Sequence, residues 1–364
     1  MINYSKLFDI ARNAYADLSY RSKSGMALIP LRYFFELTYQ CNLNCPYCYV
    51  GNERKKDELT TDEWKNVIKQ IPFYSFVTLV GGEPLIRKDF TEILFATSKK
   101  TFGKLNVVSN GILINDEIID AFIKSNMMLL SVSLDGYGTN HDKNRNKDGI
   151  WDKIISNLET LQARKSALQK NKPMIDIKTI VLENNLDDLP KLYKLCTDMN
   201  FDFLSISFLR NNNLKQNSIL RETFGEEFYK QEYLVEPYFD MAHFEEVYKE
   251  IQSLSKKSKV QIRYSPKFEG GNELQKIKDF FLNGQNKDIT DLYYPCKYPY
   301  SNMMINPQGD VYPCLSLKIG NVKDMPIKDV FNLPKFRCFR KNLQCSKVFT
   351  SCQMCCELNV KEKH

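Results

Sequence analysis

The sequence predicts an α/β fold: a partial (β/α)6 barrel followed by a small, cysteine-rich α+β domain. Three observations predict it. From residue 31 to about 210, short apolar runs alternate with amphipathic stretches, the pattern of repeated βα units. Six of these runs read as strands, fewer than the eight of a closed barrel, so the barrel is expected to be open on one side. Seven of the eleven cysteines lie beyond residue 295, where the βα rhythm has ended.

The expected strands are Tyr33 to Tyr39, Phe76 to Val80, Leu105 to Ser109, Leu129 to Leu134, Ile175 to Leu182 and Phe203 to Leu209. Helical patterns near Thr61 to Ile71, Asp89 to Lys100, Asp116 to Lys124, Trp151 to Leu168 and Leu186 to Met199 are long enough to carry parallel crossovers. Residues 211–270 break the rhythm with NNNLKQNS, a charged and aromatic stretch, and a helical pattern near Phe244 to Lys256 expected over the barrel mouth. The expected organisation is an N-terminal helical extension over 1–30, the barrel over 31–210, a connecting segment over 211–285 and the cysteine-rich domain over 286–364.

Composition narrows the function. At 364 residues with 43% hydrophobic content, the chain can bury a large core. The first 30 residues carry no continuous apolar stretch, and no run approaches the ~18 apolar residues of a spanning helix, so neither a signal peptide nor a membrane partner is expected. Eleven cysteines in such a chain suit a reducing, bacterial-type cytoplasm in which thiolates serve metals. The net charge is +7, and from Lys297 onward eleven Lys or Arg face five Asp or Glu. These charges are scattered and do not alternate with exposed aromatics, so they read as a solvated basic face rather than a nucleic-acid surface; an anionic substrate is the other reading. Three histidines, none within ligand spacing of another, argue against histidine-based metal or triad catalysis.

The motifs fall at the carboxyl ends of the expected strands, where α/β folds gather ligands. Cys41, Cys45 and Cys48, in the run CNLNCPYC, follow the first strand. Three thiolates on one loop leave a fourth position open, which points to iron-sulfur chemistry rather than a closed structural zinc site. Gly81, Gly82, Glu83 and Pro84 follow the second strand: the glycines permit close backbone approach, Glu83 offers a charged acceptor and Pro84 stiffens the exit. Ser109 and Asn110 end the third strand. Ser133 and Asp135, two residues apart at the end of the fourth, suit recognition of a sugar hydroxyl pair. Near the C-terminus, Cys296 and Cys314 flank NPQGDVYP, read as a hairpin turning at Pro307 to Asp310, and Cys352 and Cys355 form a CxxC pair. Such a set could hold zinc or a 4Fe-4S cluster.

The cysteine spacing, with Tyr47 before the last thiol, and the GGEP that follows resemble the radical S-adenosylmethionine (radical SAM) superfamily. The resemblance implies that Cys41, Cys45 and Cys48 hold a 4Fe-4S cluster whose open iron binds S-adenosylmethionine. It further implies that the GGEP backbone meets the methionine amino group, that Ser133 contacts the ribose, and that Ser109 and Asn110 line the same pocket. Asp135 either shapes the turn or faces the substrate. The phrase GDVYPCLSLKIGNV with the later CxxC resembles the SPASM and twitch extensions, implying one auxiliary 4Fe-4S cluster on Cys296, Cys314, Cys352 and Cys355. The usual longer terminal cysteine run is absent, so Cys338, Cys345 and Cys356 stay unassigned, and Cys196 reads as a buried small hydrophobe.

The activity implied is reductive cleavage of S-adenosylmethionine to a 5'-deoxyadenosyl radical. That radical abstracts hydrogen from the substrate, and the auxiliary cluster accepts an electron in a net oxidation. A flavodoxin- or ferredoxin-type protein is the expected electron donor. Only 40 residues precede Cys41, short for a peptide-recognition domain, so a small-molecule or sugar substrate is the expectation and peptide modification the alternative. A non-catalytic iron-sulfur or zinc scaffold is the reading from another class.

Overall fold

A single sheet of ten strands organises the chain, in the order β10-β9-β8-β1-β2-β3-β4-β5-β6-β7. The computed structural model describes residues 13–48, 50, 57–209, 238–268, 272–283, 288–314, 317–349, 352 and 355–361. Strands β1 (Arg32–Glu36), β2 (Phe76–Val80), β3 (Leu105–Ser109), β4 (Leu129–Ser133), β5 (Met174–Val181) and β6 (Phe203–Phe208) lie where the alternation places them. They pair in parallel, each with the next. Local chemistry fixes the crossovers: Thr60 and Glu63 close a capping box on the helix Thr61–Gln70, and the Asn115 side chain caps Asp116–Lys124.

The sheet is longer than six strands. β7 (Gln261–Ser265) adds in parallel to β6 after the helix Met241–Ser255, so one more βα unit lies in the segment read as connecting. On the other flank β8 (Asn302–Ile305) pairs in parallel with β1, and β9 (Asp310–Tyr312) and β10 (Gly320–Asn321) follow antiparallel. The cysteine-rich region thus enters the same sheet through its hairpin. That hairpin turns between Asn306 and Asp310, with Gly309 at φ +85°.

The sheet's two faces differ. Tyr33, Phe35, Val77, Leu79, Val107, Leu130, Val132, Ile175, Ile177, Leu204 and Ile206 project to one side and are almost wholly buried, each contributing roughly 1.5–3 kcal/mol. The opposite face carries buried polar groups linked across strands: Ser131 donates to Asn106 (3.2 Å) and Asp176 (3.2 Å), and Ser205 donates to Asp176 (2.7 Å). Lys178, in register between Ser133 and Ser205, and Ser207 lie half-buried on that inner face. A helical stretch at 13–20 leads into the first strand, and the region of residues 1–12 lies outside the described residues. Among the described residues, no helix is long and apolar enough to cross a membrane.

Candidate functional site

Beyond β1 the backbone continues beside the end of β2. Leu37 N–H donates to Val80 O (2.8 Å), Gly82 N–H to Thr38 O (2.7 Å) and Glu83 N–H to Gln40 O (2.8 Å). This close approach explains both glycines. A Cβ at Gly81 would sit 2.3 Å from Thr38 O, with φ at +148°, and one at Gly82 would sit 2.3 Å from Gln40 O. Sequence reasoning missed the brace on the outer side: Glu58 accepts from the Thr38 hydroxyl (2.6 Å) and Tyr39 N–H (3.0 Å). Arg87 pairs with Asp89 (2.7 Å) and Glu58 (3.5 Å) while donating to Leu37 O (3.0 Å).

Glu83 faces inward, fully buried, and accepts from Leu85 N–H (3.1 Å), the Ser109 hydroxyl (2.9 Å) and Asn110 N–H (2.7 Å). Burial outweighs these donors and raises its carboxyl to about 7. Pro84 opens a single 3-10 turn that Glu83 caps. Asn110 in turn donates to Asn42 (2.7 Å), with its amide nitrogen 4.0 Å from the Cys41 sulfur. Glu83, Ser109 and Asn110 therefore join the cysteine loop to the ends of β2 and β3.

On the other side of the loop lies Asp135. Its carboxylate accepts from the Tyr47 hydroxyl (2.7 Å) and Ile180 N–H (2.8 Å) and pairs with Arg145 (2.5 Å). The Asp135 side chain is 1% exposed, so the acid read as sugar-binding or substrate-facing is committed within the protein as it stands. Arg145, missed in the sequence, ends the short helix Thr139–Arg145 and donates to the Cys45 sulfur at 3.7 Å. Burial alone would lower its pKa; Asp135, Tyr47 and Cys45 outweigh burial and raise it. Burial raises the Cys41 and Cys45 thiols, with Arg145 opposing the effect at Cys45, and burial followed by Asp135 raises the Tyr47 phenol. His141 accepts from Asp135 N–H (3.1 Å) and packs on Trp151; burial, then Arg145, depresses it to about 3, so it is neutral. Ser133 ends β4, half-buried, one strand from Lys178.

The donor set fits an iron-sulfur group. Cys41, Cys45 and Cys48 are free and half-buried on one loop, and the buried Arg145 Nε–H beside them has no acceptor. At the C-terminal end, Cys296, Cys314, Cys352 and Cys355 are half-buried against the core, and Cys338, Cys345 and Cys356 are exposed. The Cys296 thiol is raised well above its usual range by burial, then by Cys352 and Cys314. Among the described residues, no three His, Cys, Asp or Glu side chains close round a single metal ion. Cys196 is buried in the core, where burial raises its thiol.

Two family models match: the radical SAM superfamily over residues 35–196 and the SPASM iron-sulfur cluster-binding domain over 296–356. The AdoMet-dependent heme synthase of Methanosarcina barkeri is 25% identical over 329 residues, covering 87% of this chain and 86% of that protein. The sporulation killing factor maturation protein SkfB of Bacillus subtilis is 27% identical over 47% of this chain and 40% of its own length. A PqqA peptide cyclase from Bradyrhizobium diazoefficiens is 26% identical over 51% and 48% respectively. Among solved structures, Streptococcus suis SuiB bound to S-adenosylmethionine superposes with a TM-score of 0.63 at 18% identity, covering 93% of this chain and 74% of its own.

Proposed function

We propose that this chain, which belongs to the radical SAM superfamily and carries a C-terminal SPASM iron-sulfur cluster-binding domain, is a peptide-modifying radical enzyme. Its cofactors are a 4Fe-4S cluster with S-adenosylmethionine, and auxiliary iron-sulfur centres. In our reading Cys41, Cys45 and Cys48 hold the first, and Cys296, Cys314, Cys352 and Cys355 hold an auxiliary cluster. S-adenosylmethionine bound there would supply reductive radical chemistry for hydrogen-atom abstraction from the substrate. Gly81 to Pro84 and Ser133 orient that cofactor, and Glu83, Asn110, Asp135 and Tyr47 hold the cysteine loop.

The observation that carries the reading is the convergence of the three-cysteine loop, GGEP, Ser109-Asn110 and Asp135 at one end of the sheet. For the substrate, the relatives named for killing-factor maturation and peptide cyclisation favour peptide modification, against the small-molecule expectation. One observation favours a small molecule: the heme synthase matches over most of both chains. Lys178 on the inner face offers a cation to a substrate carboxylate under either reading. A net oxidation with the auxiliary centre as electron acceptor, a flavodoxin- or ferredoxin-type donor and a cytoplasmic location complete the proposal.

The test is anaerobic incubation of reconstituted protein with S-adenosylmethionine, dithionite and short peptides encoded beside its gene. Formation of 5'-deoxyadenosine together with a peptide lighter by two hydrogens is expected. Cofactor cleavage that no such peptide alters moves the reading to a small molecule, and no cleavage at all favours the scaffold.

A further inference from the structure

We propose that Arg145 is a positioning residue that sets the reduction potential of the cluster held by Cys41, Cys45 and Cys48, with Asp135 as the counter-charge that limits its effect. The inference rests on the reading of that loop given above. Arg145 reaches the loop from a separate element, and its Nη1 lies 3.7 Å from the Cys45 sulfur while Nη2 pairs with Asp135 at 2.5 Å. Its side chain is 13% exposed. A guanidinium cannot lose its proton in a protein, so the positive charge beside this sulfur is permanent.

The pair is held rigidly. Asp135 is fixed from three sides, by Ile180 N–H (2.8 Å), the Tyr47 hydroxyl (2.7 Å) and the guanidinium itself. The Tyr47 ring closes over Arg145 at 5.9 Å. Among the described residues no cation lies within hydrogen-bonding distance of the Cys41 or Cys48 sulfur; Cys41 meets the neutral amides of Asn42 and Asn110 and the Leu43 backbone, with the Glu83 carboxyl acting on it from behind. Among the described residues the loop therefore meets a cation at one ligand, Cys45.

Net charge and hydrogen bonds to the sulfurs are among the levers that set iron-sulfur potentials. Once Cys45 is a thiolate, the Nη1 contact becomes charge-assisted and strengthens. Adding an electron makes the cluster more negative, so a fixed cation stabilises the reduced form more than the oxidised one. Asp135, paired with the other terminal nitrogen of the same guanidinium, opposes this. The two residues thus act in opposite directions, Arg145 with the larger effect because it touches the sulfur.

The experiment is an EPR-monitored redox titration of the full-length, reconstituted chain, following the signal that S-adenosylmethionine perturbs, with iron content measured for every variant. Arg145→Gln is expected to lower the midpoint potential and Asp135→Asn to raise it. Arg145→Lys, which keeps the charge, shifts it less than Arg145→Gln, and Tyr47→Phe leaves it near the wild-type value. Shifts of the same sign in Arg145→Gln and Asp135→Asn, or no shift in either, overturn the proposal, since a purely structural role has no reason to give opposite signs. If Arg145→Gln holds no iron in the loop, Asp135→Asn decides: a raised potential supports the proposal and an unchanged or lowered one overturns it. A wild-type chain with no signal responsive to S-adenosylmethionine overturns the reading of the loop itself.

Discussion

The two cysteine sets are built differently. The N-terminal loop is wired to its surroundings through polar and charged side chains: Asn110 beside Cys41, Arg145 beside Cys45, and Glu83 and Asp135 behind them. The C-terminal set lies half-buried against the hydrophobic core, as Cys41 and Cys45 also do, and burial followed by the neighbouring Cys352 raises the Cys296 thiol well above its usual range. Without metal, burying thiolates together is costly, so bound iron is expected to stabilise both regions. The charged partners at the loop suit a centre that must meet a cofactor and change charge.

The comparison breaks most visibly when one set is removed. Reconstituted wild type is expected to hold about eight irons, and the Cys41/Cys45/Cys48 triple alanine variant about four, with cofactor cleavage abolished. Retention of none by the triple variant removes the auxiliary cluster from the account. Gly82→Ala comes next: its Cβ meets the Gln40 and Tyr39 carbonyls, so the loop must shift, and iron in the first set and 5'-deoxyadenosine formation should both fall at least tenfold. Iron analysis showing a full loop cluster in that variant removes the steric argument. Lys178→Met should raise KM for substrate by about tenfold, the loss of one charged hydrogen bond, with S-adenosylmethionine affinity unchanged. A matched loss of cofactor affinity would assign the lysine to the cofactor instead.

The remaining effect is on pH dependence. The folded carboxyl of Glu83, raised to about 7, exceeds its unfolded value near 4.5. Its contribution to stability is therefore fully present below about pH 4.5 and is lost as pH rises toward 7, by up to about 3 kcal/mol. Glu83→Gln should flatten that part of the denaturation profile, and an unchanged slope would show that the carboxyl stays ionised throughout.

Much of this architecture was legible. The strand runs and helix patterns from β1 to β6 could be read because one sheet face is continuously apolar and the crossovers carry capping residues. β7 escaped because Gln261 and Arg263 break its apolar pattern; Arg263 lies over the Phe203 ring instead of marking a core position. The cysteine motifs announced themselves by spacing. Arg145 did not, because its contact with Cys45 spans 100 residues and depends on a seven-residue helix without a periodic signal. Asp135 was visible, but its three partners come from the cysteine loop, a short helix and β5, which no local pattern encodes.

The parallel pairing of β8 with β1 covers the flank of the strand that delivers the cysteine loop. Were the chain cut before residue 290, β1 would become an edge strand, offering a row of unpaired N–H and C=O groups to any other extended chain. Such a truncated barrel should self-associate through that edge, so the C-terminal region also protects the rest of the protein from aggregation.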